Sequence, residues 1–248
     1  MNPLRPLFPP ALALAIAIVT LAPPALAQGG MNLYWDDCSL NGIINKTFTC
    51  NTNTGAPLTL VASVVPNADI PQFVGFEMRI SSLVNSTTLP SWWQTMAGQC
   101  RQGAITASSD PLDLPANNCA PIWADTAPVS LVDIQQQVIG QSSFQIKAVA
   151  AIQNPIAVTA DGSELNVSVI RIARTLSTGP GSCPGCLNGA CFVLDRITLV
   201  QPNGVGDYTF LNAATNIWTM YNGGGSLPSQ CYVPAQNRTW GQIKSLYR

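Results

Sequence analysis

Phe73-Val74-Gly75-Phe76-Glu77-Met78-Arg79-Ile80-Ser81-Ser82-Leu83 is the stretch whose pattern decides the fold. In an extended chain successive side chains point to opposite faces. Val74, Phe76, Met78 and Ile80 therefore share one face, and Glu77, Arg79 and Ser81 share the other. An apolar row backed by a polar row at period two marks a half-buried strand of an antiparallel sheet.

Neighbouring segments repeat that reading. Met31 to Trp35, Lys46 to Cys50 and Leu58 to Val65 are strand candidates, the last ending at Pro66. Arg101 to Ala107 is a short one. Val129 to Ile139 alternates with a slip near Asp133, and Ser142 to Ile152 places Phe144, Ile146, Ala148, Ala150 and Ile152 on one face. Leu165 to Ile172 shifts phase at Ile170, which predicts a bulge. Ala190 to Gln201, Asp207 to Leu211 and Asn216 to Tyr221 complete the series. Turn chemistry separates them at Asn51 to Gly55, at Asp161-Gly162 and at Asn203-Gly204. About ten or eleven short strands with no long helical pattern predict an all-β protein: a two-sheet antiparallel β-sandwich of jelly-roll or immunoglobulin-like character.

The chain ends differ from this core. Arg5, the apolar run Ala11 to Leu21 and the small-x-small triplet Ala25-Leu26-Ala27 read as a secretory signal peptide over residues 1–27, with Gln28 as the new N-terminus. Pro23 and Pro24 interrupt the run before it reaches membrane-span length. No other stretch approaches that length, so the mature part is expected to carry no transmembrane segment and to be secreted or held at the cell surface. The sandwich is assigned to residues 28–225. Residues 226–248 form a Gly-led segment and a basic tail, in which Trp240, Ile243 and Tyr247 fall on one face of a short helix that Thr239 caps. That tail is either a docked terminal helix or a signal for secretion or attachment.

Composition removes several chemistries. Charged residues make up 9% of the chain, against a usual share of roughly 25%. Without Arg5 the acids outnumber the bases by two, and no basic stripe exists for nucleic acid. There is no histidine. Ser-His-Asp and Cys-His hydrolases, zinc-histidine enzymes and phosphohistidine chemistry are excluded with it. No phosphate-cradling glycine motif is present, and no cofactor is expected.

Eight cysteines, Cys38, Cys50, Cys100, Cys119, Cys183, Cys186, Cys191 and Cys231, follow the signal peptide. An even number in an exported chain implies disulfides. Proximity suggests Cys38 with Cys50 and Cys100 with Cys119, each closing a loop near 15 residues worth about 3 kcal/mol. Three cysteines crowd into Cys183-Pro184-Gly185-Cys186-Leu187-Asn188-Gly189-Ala190-Cys191. As thiolates with Cys231 they would suit zinc. As Cys-Pro-Gly-Cys they would suit redox exchange, but a strand follows, not the helix that lowers the thiol pKa in such motifs. The preferred reading is a double staple at the entry of a strand, with Cys231 bridged to one of its cysteines.

Other candidates are weaker. Asp36, Asp37, Glu77, Asp195 and Asp207 are the acids from which a glycosidase pair would be drawn. Asp195 breaks an apolar alternation and suits an ion pair with Arg171 or Arg196. Asp110, Asp113, Asn117 and Asn118, and separately Asp36-Asp37, cluster without the spacing of a calcium loop. Trp92, Trp93 and Trp123 lie in loops, where indoles stack on sugar rings or fold back as lids on the core. Asn45, Asn85, Asn166 and Asn237 match the glycosylation acceptor pattern.

Five stretches together resemble a group of uncharacterised bacterial exported proteins. They are Asn32 to Cys38 with Phe48 to Asn53, Leu89 to Trp93 with Cys100-Arg101, the cysteine cluster with its strand, Gln201-Pro202 to Gly206-Asp207, and Thr239 to Arg248. The strand pattern also resembles cohesin-like and carbohydrate-module sandwiches at the level of fold. These resemblances imply export and a β-sandwich and supply no activity. The leading expectation is a non-enzymatic surface or extracellular interaction module whose partner is a protein or glycan at the cell surface. The alternatives are a carbohydrate-binding module using Trp92, Trp93 and Trp123, and a carboxylate-dependent glycan hydrolase.

Overall fold

The computed structural model describes residues 29–110, 119–123, 126, 128–136 and 142–224. The expected signal peptide and tail helix, Cys231, Asn237 and the acidic-loop residues Asp113, Asn117 and Asn118 lie outside the described residues. Two sheets face each other. One has five strands: β1 (Gly30–Trp35), β3 (Leu58–Val65), β9 (Leu165–Ile172) and β5 (Ile105–Ser108) in that order, with β6 (Ala120–Pro121) beside β9. The other has seven: β2 (Asn45–Lys46), β12 (Trp218–Tyr221), β10 (Ala190–Val200), β4 (Ile70–Val84), β8 (Ser143–Val158) and β7 (Val129–Gln136), with β11 (Tyr208–Phe210) beside β10. All pairings are antiparallel except β2 with β12 and β6 with β9.

β4 sits at the centre of the larger sheet, as its alternation requires. Ile80 pairs with Leu194 of β10 and Ile146 of β8, and Met78 with Ile197 and Ala148. These residues are almost fully buried, and they meet Leu58, Leu60, Ala62 and Val64 of β3 in one core. The phase slips at the start of the strand. Register shifts flank Phe73, and Phe73, not Val74, is the fully buried residue. A Cβ on Gly75 would come 2.5 Å from the Ala150 carbonyl oxygen, so glycine lets β8 close against the irregularity. Asp195 marks a second bulge, between Leu194 and Arg196. The bulge expected at Ile170 lies earlier in the strand, where β9 shifts register between Asn166 and Ser168 opposite Ser63 and Ala62.

The expected local disulfides do not form. Cys38 pairs with Cys119, Cys50 with Cys186 and Cys100 with Cys183. Topology is the reason. Cys38 lies over Val61 and Val169 on the outer side of the five-stranded sheet, where Cys119 arrives just before β6. Cys50 lies instead against Tyr221 at the end of β12, within reach of the cysteine cluster. Cys191 is also disulfide-bonded, and the described residues contain no free cysteine.

Candidate functional site: the disulfide-lined cleft

The cysteine cluster forms an irregular segment that packs against the 3-10 turn Ser91–Trp93. The Trp92 amide donates to the Pro184 carbonyl at 2.9 Å, and the Asn85 amide donates to the Gly189 carbonyl at 2.8 Å. The Asn188 side chain donates to the Asn85 carbonyl at 3.0 Å. Gly185 has φ of 99°, and a Cβ there would stand 2.2 Å from the Pro90 Cβ. Only glycine suits both the left-handed backbone and the close approach. The two cystines then fix the segment from either side, one to the loop after β2 and one to the loop after the 3-10 turn.

Between them opens a cleft of about 270 Å³, close to the lower limit of small-ligand sites. Thr49, Ser177, Ser182 and Asn188 supply its polar groups, and Cys50–Cys186, Pro184 and Leu187 its apolar ones. Leu187 is 69% exposed, an unusual placing for leucine at a loop tip. Ser177 is held by its neighbours: its hydroxyl donates to the Arg174 carbonyl at 2.7 Å and accepts from Trp92 Nε1 at 3.0 Å. The Ser177 and Thr178 amides both donate to Asn53 Oδ1, at 2.7 and 3.0 Å. No lining residue is ionisable, since the lining cysteines are all held in disulfides, so the cleft offers hydroxyl, amide and apolar contacts, and no acid or base.

Beneath the lining lies a buried aromatic cluster. Tyr221 is fully buried, stacks on Trp92 at 5.6 Å and meets Trp93 edge-on at 5.2 Å. Its hydroxyl donates to the Cys186 carbonyl at 2.9 Å. Burial pushes its pKa well above the usual tyrosine range. Arg101 is 2% exposed, with its guanidinium 3.7 Å above the Trp92 ring. It donates to the carbonyls of Thr175 at 2.9 Å, Trp92 at 2.8 Å and Ala173. Desolvation lowers its pKa to about 10. Neither residue stood out in sequence. The one signal for Arg101 was its place next to Cys100, and Tyr221 was simply the last residue of a strand.

Of the two roles open to the loop tryptophans, stacking on sugars or folding back as lids on the core, their burial fits the second. Trp92, Trp93 and Trp123 are at most 1% exposed. Trp93 packs on Phe144 and Phe192, and Trp123 on Phe73 and Phe76. Proline-rich loop sequence places an indole outside a strand, but the loop itself folds over the open end of the sandwich, and the indole fills it. Asn166 is likewise fully buried, so it presents no glycosylation surface.

The acids are scattered. Asp36 pairs with Lys46 at 2.5 Å, Asp37 accepts from the Cys38 amide at 2.7 Å, and Asp207 accepts from the Gln201 amide at 3.1 Å. Glu77 and Asp195 share the outer face of the larger sheet, each tied to an arginine. Glu77 pairs with Arg196, and Asp195 with Arg79 at 3.2 Å, not with Arg171 or Arg196 as expected. Ser81 donates to Asp195 at 2.6 Å, yet burial outweighs these partners and raises the Asp195 pKa. Cys183 and Cys186 bridge to different partners, so they form neither a Cys-x-x-Cys redox pair nor a thiolate set for zinc. A further acid, Glu164, accepts from Asn32 at 2.9 Å, from Ser63 at 2.5 Å, and from both the amide and the hydroxyl of Ser39. It latches the β1–β2 loop to the smaller sheet.

The fold defines the class: an all-β, two-sheet sandwich stapled by disulfides. No protein family, curated protein or solved structure matches the chain. No helix among the described residues is long and apolar enough to cross a membrane.

Proposed function

We propose that the chain is an exported sandwich protein that binds a partner at the cell surface or outside the cell, without catalysis. The observation that carries this reading is the cleft at the cysteine cluster. Two long-range cystines, a buried aromatic floor and a buried arginine fix its shape, while its lining holds hydroxyls, one amide and the exposed Leu187. Rigid walls and neutral polar groups favour recognition of an uncharged surface, such as a peptide loop or a glycan hydroxyl array. The signal-like N-terminal sequence and the disulfides point to an oxidising compartment.

Glycan hydrolysis is supported less well, because Glu77 and Asp195 lie on the same sheet face, each held by an arginine, and do not oppose each other across a cleft. The test uses the mature protein on a glycan array and on intact bacterial cells. Saturable binding that Leu187→Asp weakens at least about tenfold, roughly 1.4 kcal/mol, is the expected result. Turnover of a polysaccharide that is lost on replacing Glu77 or Asp195 would overturn the reading.

A further inference from the structure

The outer face of the seven-stranded sheet is unevenly covered. Across β7 and β8 it is open: Val129, Leu131 and Val149 are 76%, 67% and 40% exposed. Across the first half of β10 it is closed. Cys191 and Val193 point away from the core, in register with Leu83 and Ser81 of β4 and with Met220 and Trp218 of β12, yet they are only 3% and 6% exposed. Their apolar neighbours among the described residues, Leu83, Trp218 and Met220, all belong to the same sheet. Coplanar neighbours flank a row but do not roof it.

Cys191 says what does. It is disulfide-bonded, and the three bridges described use six of the other seven cysteines. The remaining one is Cys231. The chain leaves β12 beside Cys191, since Met220 pairs with Cys191 and Tyr221 with Ala190. Asn222, Gly223 and Gly224 then take φ of 47°, 72° and 63° in succession, a left-handed run that turns the chain at the sheet edge. Cys231 follows Gly224 by seven residues, a reach of at most about 25 Å and ample for a return to Cys191.

We propose that this row is the seat of the chain's own C-terminal segment, residues 225–248, strapped to the outer face of the larger sheet through a Cys191–Cys231 disulfide. The apolar side chains of that segment, Trp240, Ile243 and Tyr247 among them, are then the roof over Val193, Trp218 and Met220. The strap leaves the cysteine-lined cleft free, so it stands or falls independently of the proposed binding role.

Non-reducing digestion and mass mapping of the mature protein decide the tether, and the expected product is a peptide linking Cys191 to Cys231. Cys231 found as a free thiol or joined to any other cysteine overturns the proposal. Hydroxyl-radical footprinting decides the roof. Met220 and Trp218 should oxidise about fivefold faster or more in a chain ending at Gly224 with Cys191→Ser than in the full mature protein. Equal oxidation overturns it. Should the shortened chain not fold, the full-length C191S/C231S protein is footprinted in its place, read by the same criterion.

Discussion

Arg101 carries its charge into the floor of the cleft, where three backbone carbonyls and the face of Trp92 receive it. The planar fork of guanidinium reaches all three at once, whereas an ammonium is a single point. Arg101→Lys is expected to cost about 3 kcal/mol, because a buried cation loses partners without leaving the core. Urea denaturation measures it, and a loss under about 1 kcal/mol would show the fork to be dispensable. Tyr221, beside it, makes stability depend on alkaline pH. Burial keeps its hydroxyl protonated above the usual range. The folded chain thus holds this proton more tightly than the unfolded one. The stability it contributes is intact below about pH 10 and is lost as pH rises past that value. Arg101 acts in the opposite sense. Its folded pKa is lowered to about 10, so stability from that group rises from there towards its ordinary value of 12.5. Tyr221→Phe should lose about 1 kcal/mol at pH 7 with the hydrogen bond to Cys186. It should then show a shallower decline than the parent between about pH 9 and pH 11. Parallel declines in the two proteins would refute the assignment.

At the scale of elements, strands flanked by clear breakers were legible and packing beyond them was not. Leu58–Val65 and Leu165–Ile172 match the expected bounds, because β-branched runs end there at Pro66 and at polar turns. β8 runs on to Val158, past the expected stop at Ile152. Its Pro155 is tolerated because β7 pairs only as far as Ala151, so on that side the missing amide has no partner to lose. The second strand shrinks to Asn45–Lys46, since Cys50 takes φ of 56° and turns its sulfur toward Cys186. None of this was visible locally: where a loop packs is decided by residues more than a hundred positions away. The cleft was legible only as a dense cysteine cluster. Its shape depends on one element-level contact, Gly185 against Pro90. Gly185→Ala should cost about 2–4 kcal/mol, combining backbone strain with the clash. Gly204→Ala, at φ of 90° with nothing within 4 Å, isolates the backbone part. It should cost only about 1–2 kcal/mol. Thermal unfolding of both variants measures the gap, and equal losses would mean that the Pro90 contact yields freely.

For the molecule as a whole, the three described bridges interlock in sequence. Cys38–Cys119 overlaps both of the others, and Cys50–Cys186 encloses Cys100–Cys183. Sequence separations of 81, 136 and 83 residues make each worth roughly 4.5–5 kcal/mol in the chain-entropy model, against about 3 for the short loops that proximity suggested. A fold whose sheets join strands remote in sequence has a large loop entropy to overcome, and long bridges act on that entropy in the unfolded chain. Replacing Cys100 and Cys183 together by Ser removes one bridge while the enclosing bridge still restrains the same segment. The loss should therefore fall somewhat below the isolated value, at about 4 kcal/mol, which in a domain of this size lowers the melting temperature by roughly 8–16 °C. Replacing Cys38 and Cys119 opens the staple on the opposite sheet, away from the cleft, and should lower the melting temperature comparably. Only the first variant should also change binding at Leu187, because of these two bridges only Cys100–Cys183 contributes a residue, Cys183, to the cleft. Calorimetry and a binding titration on the same two proteins separate the roles. If both variants bound equally well, the bridges would be staples alone, and the shape of the cleft would have to come from Arg101, Trp92 and Tyr221.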